Sequence, residues 1–155
     1  MKTLPILAAV STTALLFSCL SAAAIESHYK AASSESVSAV WTKVGNFCGI
    51  GTWHPAVEKC SLSANGKERT LSLKGGGTII EDLVKWNNKG HSYTYKIKSS
   101  PLPIEHYESI IKVTKHGTGS EISWSGHYKA KGATDAAAKK AIDGIYKSGV
   151  DSLAK

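Results

Sequence analysis

The chain has 155 residues, 42% of them hydrophobic, and its 19 lysine and arginine residues outnumber 12 aspartate and glutamate residues to give a net charge of +7. This length fits one domain that buries about two-thirds of its unfolded surface. The basic residues are spread along the chain without a block of about five or six, which argues against a nucleic-acid-binding protein. Such a spread is typical of a solvated surface, and it also fits attraction to an acidic protein partner or to anionic headgroups.

The N-terminal residues carry the pattern of a secretory signal. A lysine precedes an apolar stretch from Leu4 to Leu20, and the small residues Ser21 to Ala24 follow it. The apolar stretch is short and wrongly flanked for a stable membrane span. We therefore expect cleavage after Ala24 and a periplasmic or secreted domain of residues 25–155. A lipoprotein signal with Cys19 as the lipidated residue is a minor alternative, because Phe17 is bulky for that signal.

A short strand and a helix open the mature chain. Residues 25–31 are predicted as the strand, and Ser33 or Ser34 is the expected N-cap of the helix. Apolar residues then recur at three- and four-residue steps, which is one helical face. They are Val37, Val40, Trp41, Val44 and Phe47. Glycines after this face predict a bend into a second short helical piece, which Pro55 ends.

After Pro55 the hydrophobic period changes from 3.6 to 2. Alternating residues predict six strands, at 57–63, 69–74, 78–86, 92–98, 107–113 and through 122–128. Glycine- and asparagine-rich turns separate most of these strands. Short turns between neighbours predict an antiparallel meander.

A long amphipathic helix closes the chain, with Thr134 as its expected N-cap. Its predicted apolar face consists of Ala138, Ile142, Ile145, Gly149 and Leu153, with Ala141 and Tyr146 beside it. A helix of about 20 residues is about 30 Å long, which is also the length of a nine-residue strand. The helix can therefore lie along the concave side of the sheet. Gly144 and Gly149 either leave room there for a ligand or permit close contact between helix and sheet.

The order of strand, helix pair, six strands and long helix is a helix-grip arrangement, an α+β fold with a curved antiparallel sheet of about seven strands. Three motifs are distinctive: Trp53-His54-Pro55, Pro101-Leu102-Pro103 and Trp124-Ser125-Gly126. They accompany Val40, Trp41, Val44, Gly45, Phe47, Arg69, the glycines at 75–77, Glu81, Tyr93, Thr94, Tyr95 and Tyr107. On these residues the whole mature chain resembles the START/Bet v 1-like (SRPBCC) superfamily, and within it the bacterial polyketide cyclase/dehydrase and lipid-transport-like family.

The resemblance implies a fold with a hydrophobic cavity, and it does not imply one activity, because one fold hosts many functions. A looser similarity links the chain to an accessory protein associated with periplasmic methanol oxidation. Neither resemblance implies a cofactor.

The inner face of the sheet is the best candidate site. Alternation along one strand places Glu81 on the same face as Ile79 and Leu83. The same alternation aligns Tyr93, Tyr95, Tyr107, Trp124 and Tyr128 on their strands. A carboxylate among aromatic side chains, opposite an apolar helix, is typical of a ligand pocket. Glu81 is therefore a candidate ligand contact and a candidate acid or base, and the alternative is a structural glutamate bonded to hydroxyls or to Arg69.

The Trp-His-Pro corner is the second candidate. Trp53 could wall the entrance of the cavity, and His54 could hydrogen-bond a ligand or the backbone. The alternative is a packing corner in which Trp53 fills one end of the core.

Cleavage of the signal leaves Cys48 and Cys60 as the cysteines of the mature chain. An even count in an oxidising compartment predicts a disulfide, with a free buried pair as the alternative. Metal binding is poorly supported, because these cysteines lack a matching histidine pair. The histidines at 28, 91, 106, 116 and 127 are scattered without a zinc spacing.

We expect foremost a non-catalytic binding protein for a small hydrophobic or amphipathic molecule. The second hypothesis is a cyclase or dehydratase with Glu81 as acid or base and Tyr95 or Tyr107 orienting a carbonyl. The third is an accessory protein that binds an acidic periplasmic partner. The first two depend on the inner face of the sheet, and the third depends on surface charge and the looser similarity.

Overall fold

A computed structural model describes residues 23–155, in which a curved antiparallel sheet holds one long helix. The strands are β1 (Ile25–Ser33), β2 (Val57–Leu62), β3 (Glu68–Leu73), β4 (Thr78–Asn87), β5 (Ser92–Ser99), β6 (Ile104–His116) and β7 (Gly119–Ala130). The helices are α1 (Val37–Val44), α2 (Ile50–Trp53) and α3 (Asp135–Leu153). The predicted signal and the alternative lipidation at Cys19 lie outside the described residues.

The seven strands form one sheet in the order β1-β7-β6-β5-β4-β3-β2, and each neighbouring pair is antiparallel. This order confirms the predicted meander of β2 to β7, with β1 added beside β7. The tight β3–β4 turn uses Gly76 and Gly77 at φ values of 86° and 95°, which side chains with a Cβ rarely adopt. The helix-grip prediction is therefore confirmed.

The first helix begins later than predicted. Ser36 is its N-cap, and the Ser36 hydroxyl accepts a hydrogen bond from the amide of Ala39 at 3.2 Å. The prediction of Ser33 or Ser34 was wrong because β1 runs two residues further than expected. Pairing of Ser33 with Ser120 of β7 keeps that part of the chain extended.

Strand β6 is also longer than the predicted span of 107–113, since it runs over Ile104–His116. The register with β7 shifts between Glu105 and Glu108, and His106 adopts a φ of 54° there. A local irregularity of this kind interrupts the alternation that the prediction relied on. The strand continues on both sides of it.

Cys48 and Cys60 form a disulfide, which confirms the predicted pairing, and their Cα atoms lie 5.6 Å apart. The bond ties the turn before α2 to β2. A Cβ on Gly51 would lie 3.2 Å from the Cβ of Cys60, so a glycine there permits the close approach. A crosslink that closes a loop of this size contributes about 3 kcal/mol to stability.

Helix α3 begins as predicted after Thr134, whose hydroxyl accepts a hydrogen bond from the amide of Ala137 at 3.2 Å. Its buried face is Ala138, Ile142, Tyr146, Gly149, Val150 and Leu153. Ile145, predicted on that face, is only partly buried. A Cβ on Gly149 would lie 2.6 Å from the His54 ring and 2.7 Å from Trp124. Of the two roles considered for Gly149, it therefore permits close contact between α3 and the side chains of His54 and Trp124.

The position of α3 decides where space remains inside the fold. The helix packs against β1 and β7 and makes smaller contacts with α1 and α2. The inner face of β3, β4 and β5 is therefore not covered by the helix backbone, and a cavity lies there. Within residues 23–155, no helix combines the length and apolar character that a membrane crossing needs.

Candidate functional site

A cavity of about 360 Å³ lies between α3, α2 and the inner face of the sheet. Its lining is mostly apolar, with Ile50, Val57, Leu71, Leu73, Ile79, Ile97, Leu102, Trp124, Ile142 and Ile145. Small-molecule sites typically measure about 300–1,000 Å³ and have such a lining with a few placed polar groups. The cavity is therefore at the small end of that range.

The cavity opens beside the β3–β4 turn. Lys74, Gly75 and Gly76 belong to its lining and are exposed to solvent. A ligand that enters here meets a lysine at the mouth and apolar side chains further in.

Five of the eight predicted ligand-contact residues line this cavity, namely His54, Glu81, Tyr95, Tyr107 and Trp124. The other three do not line it. Trp53 packs edge-on against Trp124, with ring centroids 5.7 Å apart. Tyr93 stacks on Trp86, with ring centroids 5.1 Å apart. Tyr128 is hydrogen-bonded to the hydroxyl of Ser27 at 2.6 Å, below α3.

An ion pair forms one polar part of the site. Arg69 of β3 and Glu81 of β4 are directly opposite in the sheet register, and the Arg69 Nε donates to Glu81 Oε2 at 2.5 Å. Arg69 Nη1 donates to the carbonyl of Phe47 at 2.5 Å. The guanidinium lies 4.1 Å from the centroid of the Phe47 ring and 4.9 Å from that of Tyr95. We call Arg69, Glu81 and these two rings the ion-pair cluster.

Burial makes this pair interdependent. Arg69 is 0% exposed and Glu81 is 4% exposed. Burial raises the pKa of the Glu81 carboxyl, and the Arg69 guanidinium opposes that rise. Burial acts to lower the pKa of Arg69, but the Glu81 carboxylate together with Tyr93 and Tyr95 outweighs it, and the pKa is raised. The charge on Glu81 therefore depends on Arg69, as expected for a carboxylate taken out of water.

The ion-pair cluster has hydrogen-bonding capacity left over. Arg69 donates a hydrogen bond to Oε2 of Glu81 and not to Oε1. Oε1 makes no hydrogen bond to any other atom of residues 23–155. Arg69 Nη2 and Trp53 Nε1 are fully enclosed by protein and also lack a hydrogen-bond partner. Glu81 Oε1 is not among the fully enclosed atoms of this kind. Glu81 lines the cavity, and Oε1 is the carboxylate oxygen that the protein neither bonds nor fully encloses.

A chain of hydroxyls forms the second polar part. The Tyr95 hydroxyl lies 3.0 Å from that of Tyr107, which lies 2.8 Å from that of Tyr146. Tyr146 in turn lies 2.9 Å from the hydroxyl of Ser109. The Ser109 hydroxyl donates to the carbonyl of Ser125 at 2.7 Å. We call these hydroxyls, with Trp124, the hydroxyl network.

The direction of this chain follows from its end. A carbonyl can only accept, so the proton of Ser109 is used on Ser125. Tyr146 must then donate to Ser109, Tyr107 to Tyr146, and Tyr95 to Tyr107. The indole N–H of Trp124 donates to Tyr95 at 3.1 Å and to Ser109 at 3.0 Å. Every donor of the hydroxyl network is therefore used inside the protein.

Burial also keeps these phenols neutral. It raises the pKa of Tyr95 and Tyr107 well above the ordinary value, and it raises that of Tyr146. A neutral, fully bonded set of hydroxyls is suited to holding α3 on the sheet.

His54 is bonded to backbone on both sides of its ring. Nδ1 accepts from the amide of Ala56 at 3.1 Å, so Nε2 carries the proton and lies 3.1 Å from the carbonyl of Ile145, to which it donates. Burial lowers the pKa of His54, and the positive charge of Arg69 acts in the same direction. Of the two kinds of partner expected for His54, a ligand or the backbone, both ring nitrogens bond to the backbone. The ring thereby connects the Trp-His-Pro corner to α3.

Sequence reasoning missed the participation of Ser109 and Tyr146 in the site. Tyr146 follows Ile142 by four residues, so helical spacing places both on one face. Ser109 alternates with Tyr107 along β6 and therefore also points inward. Neither pattern indicates that their hydroxyls meet, because the two residues are 37 positions apart. Among residues 23–155, no three or more His, Cys, Asp or Glu side chains gather in a way that could hold a metal.

Comparison with known proteins gives one family. Residues 29–155 match the family model described as polyketide cyclase / dehydrase and lipid transport. No curated protein matches the chain.

Several solved structures are similar over the whole domain. The protein XoxI from Bacillus cereus shares 30% identity with a TM-score of 0.81, covering 84% of this chain and 93% of that one. An uncharacterised protein from Bacillus thuringiensis shares 32% identity with a TM-score of 0.79, covering 83% and 96%. The Zhui aromatase/cyclase from a Streptomyces species shares 10% identity with a TM-score of 0.69, covering 84% and 92%, and this likeness shows the fold alone.

Proposed function

The chain belongs to the polyketide cyclase/dehydrase and lipid transport family, and from that premise we propose that it binds one small hydrophobic or amphipathic molecule without converting it. The observation that carries this proposal is the apolar cavity of about 360 Å³ beside α3. Most polar atoms at its wall are already bonded within the protein, as in His54 and the hydroxyl network. Such a wall favours an apolar ligand body over a polar substrate.

The proposed place of action is outside the cytoplasm, in the periplasm or as a secreted protein. The support for this is the signal pattern of residues 1–24 and the disulfide between Cys48 and Cys60, since such bonds persist in oxidising compartments. Cell fractionation of the natural host with antibody detection tests it. Recovery in the cytoplasm at full chain length would count against it.

Binding to the cavity is tested with the uncharged fluorescent probe N-phenyl-1-naphthylamine. Leu73 is partly buried at the cavity wall, so Leu73→Trp should fill space there with little strain on the core. Val84 is 51% exposed, so Val84→Trp is the matched control. We expect one probe per wild-type and Val84→Trp molecule, and a loss of binding in Leu73→Trp at an unchanged melting temperature. Equal binding by all three proteins would place the probe elsewhere and defeat the proposal.

An enzyme of the cyclase or dehydratase type is the second candidate, and the open Oε1 atom of Glu81 favours it. Glu81 would act as acid or base there. The hydroxyl network argues against the rest of that hypothesis, because Tyr95 and Tyr107 have no free proton with which to orient a carbonyl. The enzyme hypothesis predicts that Glu81→Gln abolishes turnover of a polyketide-type substrate in a folded protein. Full activity in that variant would eliminate it.

The accessory role stays a prediction from the net charge of +7 and the looser similarity. A pull-down from periplasmic extract at low salt tests it. An acidic partner that is released as salt increases would support it, because exposed charge attraction is screened.

A further inference from the structure

The polar atoms at the cavity wall differ in what remains free. Both ring nitrogens of His54 are bonded to backbone. The protons of Tyr95, Tyr107 and Trp124 are all used within the hydroxyl network. Oε1 of Glu81, a residue that is 4% exposed, is by contrast an acceptor without a protein donor among the described residues. The wall therefore offers a ligand a buried acceptor and no buried donor from these side chains.

Oε1 is also held in place. Arg69 fixes the other carboxylate oxygen at 2.5 Å, and the carbonyl of Phe47 fixes Arg69 at 2.5 Å. The guanidinium lies against the rings of Phe47 and Tyr95, so it has little freedom to turn. A carboxylate oxygen held against a mostly apolar cavity wall gives up part of its hydration, which is costly when no protein donor replaces it. A ligand donor placed at Oε1 would remove that cost.

We infer that the cavity selects a ligand whose buried end carries an uncharged hydrogen-bond donor, a hydroxyl group, which donates to Oε1 of Glu81. This rests on the proposed binding function and names the class of ligand. An ether of the same shape has no proton to donate and leaves Oε1 unpaired. A carboxylate at the same position would bring a second negative charge beside Glu81. An alcohol or phenol with an apolar body therefore fits the site.

Three probes of nearly equal shape separate these cases: 4-pentylphenol, 4-pentylanisole and 4-pentylbenzoate. Each is titrated into the full protein by isothermal calorimetry. We expect wild type to bind the phenol about tenfold to a hundredfold more tightly than the anisole, the ratio expected for one hydrogen bond to a charged acceptor. The benzoate should bind more weakly than the phenol. This comparison needs no variant.

Glu81→Gln gives a second readout. Arg69 needs an acceptor, so the amide oxygen should take the place of Oε2 and the amide N–H₂ should face the cavity. The free acceptor becomes a donor, and the preference for phenol over anisole should fall to less than about threefold. Glu58→Gln makes the same change on an exposed residue of β2 and should leave the preference intact.

Different failures have different meanings. If none of the three probes binds and N-phenyl-1-naphthylamine does not bind either, the proposed function fails. If phenol and anisole bind wild type equally, the ligand class is wrong although binding stands. If the benzoate binds best and Lys74→Met weakens it, the polar end of the ligand lies at the mouth, which also overturns the inference.

Discussion

The two polar parts of the site are buried to similar degrees but differ in what they leave unsatisfied. The ion-pair cluster keeps an open acceptor at Glu81 Oε1 and an enclosed, partnerless donor at Arg69 Nη2. The hydroxyl network, from Tyr95 to Ser109, uses every proton it has.

The difference follows from the groups themselves. A guanidinium carries five donors and a carboxylate about four acceptor positions, more than a few neighbours can satisfy. A phenol carries one proton, and one neighbour exhausts it. A buried polar group at a cavity wall can therefore recognise a ligand only if it keeps a donor or an acceptor that the protein does not already use. We therefore assign ligand recognition to the ion-pair cluster and the attachment of α3 to the hydroxyl network.

The largest effect is expected from breaking the ion pair. Arg69→Met leaves the Glu81 carboxylate buried without its counter-charge, and we expect the free energy of unfolding to fall by about 3–5 kcal/mol. Urea denaturation measures it. The double variant Arg69→Met with Glu81→Leu removes both charges and should recover most of the loss. A double variant as unstable as Arg69→Met would mean that the rings, and not the charges, hold this region together.

A smaller effect is expected in the hydroxyl network. Tyr107→Phe removes the acceptor of the Tyr95 proton and the donor to Tyr146, which should cost about 1–3 kcal/mol of unfolding free energy. The preference for phenol over anisole should not change. A variant of normal stability that has lost the preference would move recognition into the hydroxyl network and reverse our assignment.

Ser36→Ala measures what one exposed hydrogen bond contributes to stability outside the ion-pair cluster and the hydroxyl network. The Ser36 hydroxyl caps α1 at an exposed position, and its loss should cost about 1 kcal/mol. Thermal unfolding monitored by circular dichroism measures the change. A cost equal to that of Tyr107→Phe would show that burial adds little to the hydroxyl network.

A change of pH should have a modest effect through His54, which lies between the two parts. Its pKa is lowered from 6.5 in the folded protein, so the unfolded chain binds a proton first as the pH falls. As the pH falls, stability should therefore decline from about pH 7 down to the lowered folded pKa, and above about pH 7 it should stay constant. Melting temperatures of wild type and His54→Gln across this range test the sign. An unchanged slope in His54→Gln would assign the dependence to other groups.

Much of the fold could be predicted because its signals are local. Alternation gave the strands, Thr134 gave the start of α3, and an even cysteine count gave the disulfide between Cys48 and Cys60. The predicted start of α1 was wrong because pairing with β7, which is distant in the sequence, extends β1 to Ser33.

The candidate site was predicted less completely for the same reason. Alternation identifies the inner face of a strand, and Tyr93, Tyr95 and Tyr128 all lie on it. It does not say where along the strand the space remains. That is decided by α3, which covers β1 and β7 and leaves room beside β3 to β5. Tyr95 therefore reaches the cavity, whereas Tyr128 lies below the helix.

Native mass spectrometry of the protein purified from its natural host tests the central claim most directly, before and after denaturing extraction. We predict one noncovalently bound small molecule per chain, released on denaturation and carrying a hydroxyl group at one end of an apolar body. The account would be contradicted if the native mass equals that of the polypeptide alone and the protein binds neither 4-pentylphenol nor N-phenyl-1-naphthylamine when these are added.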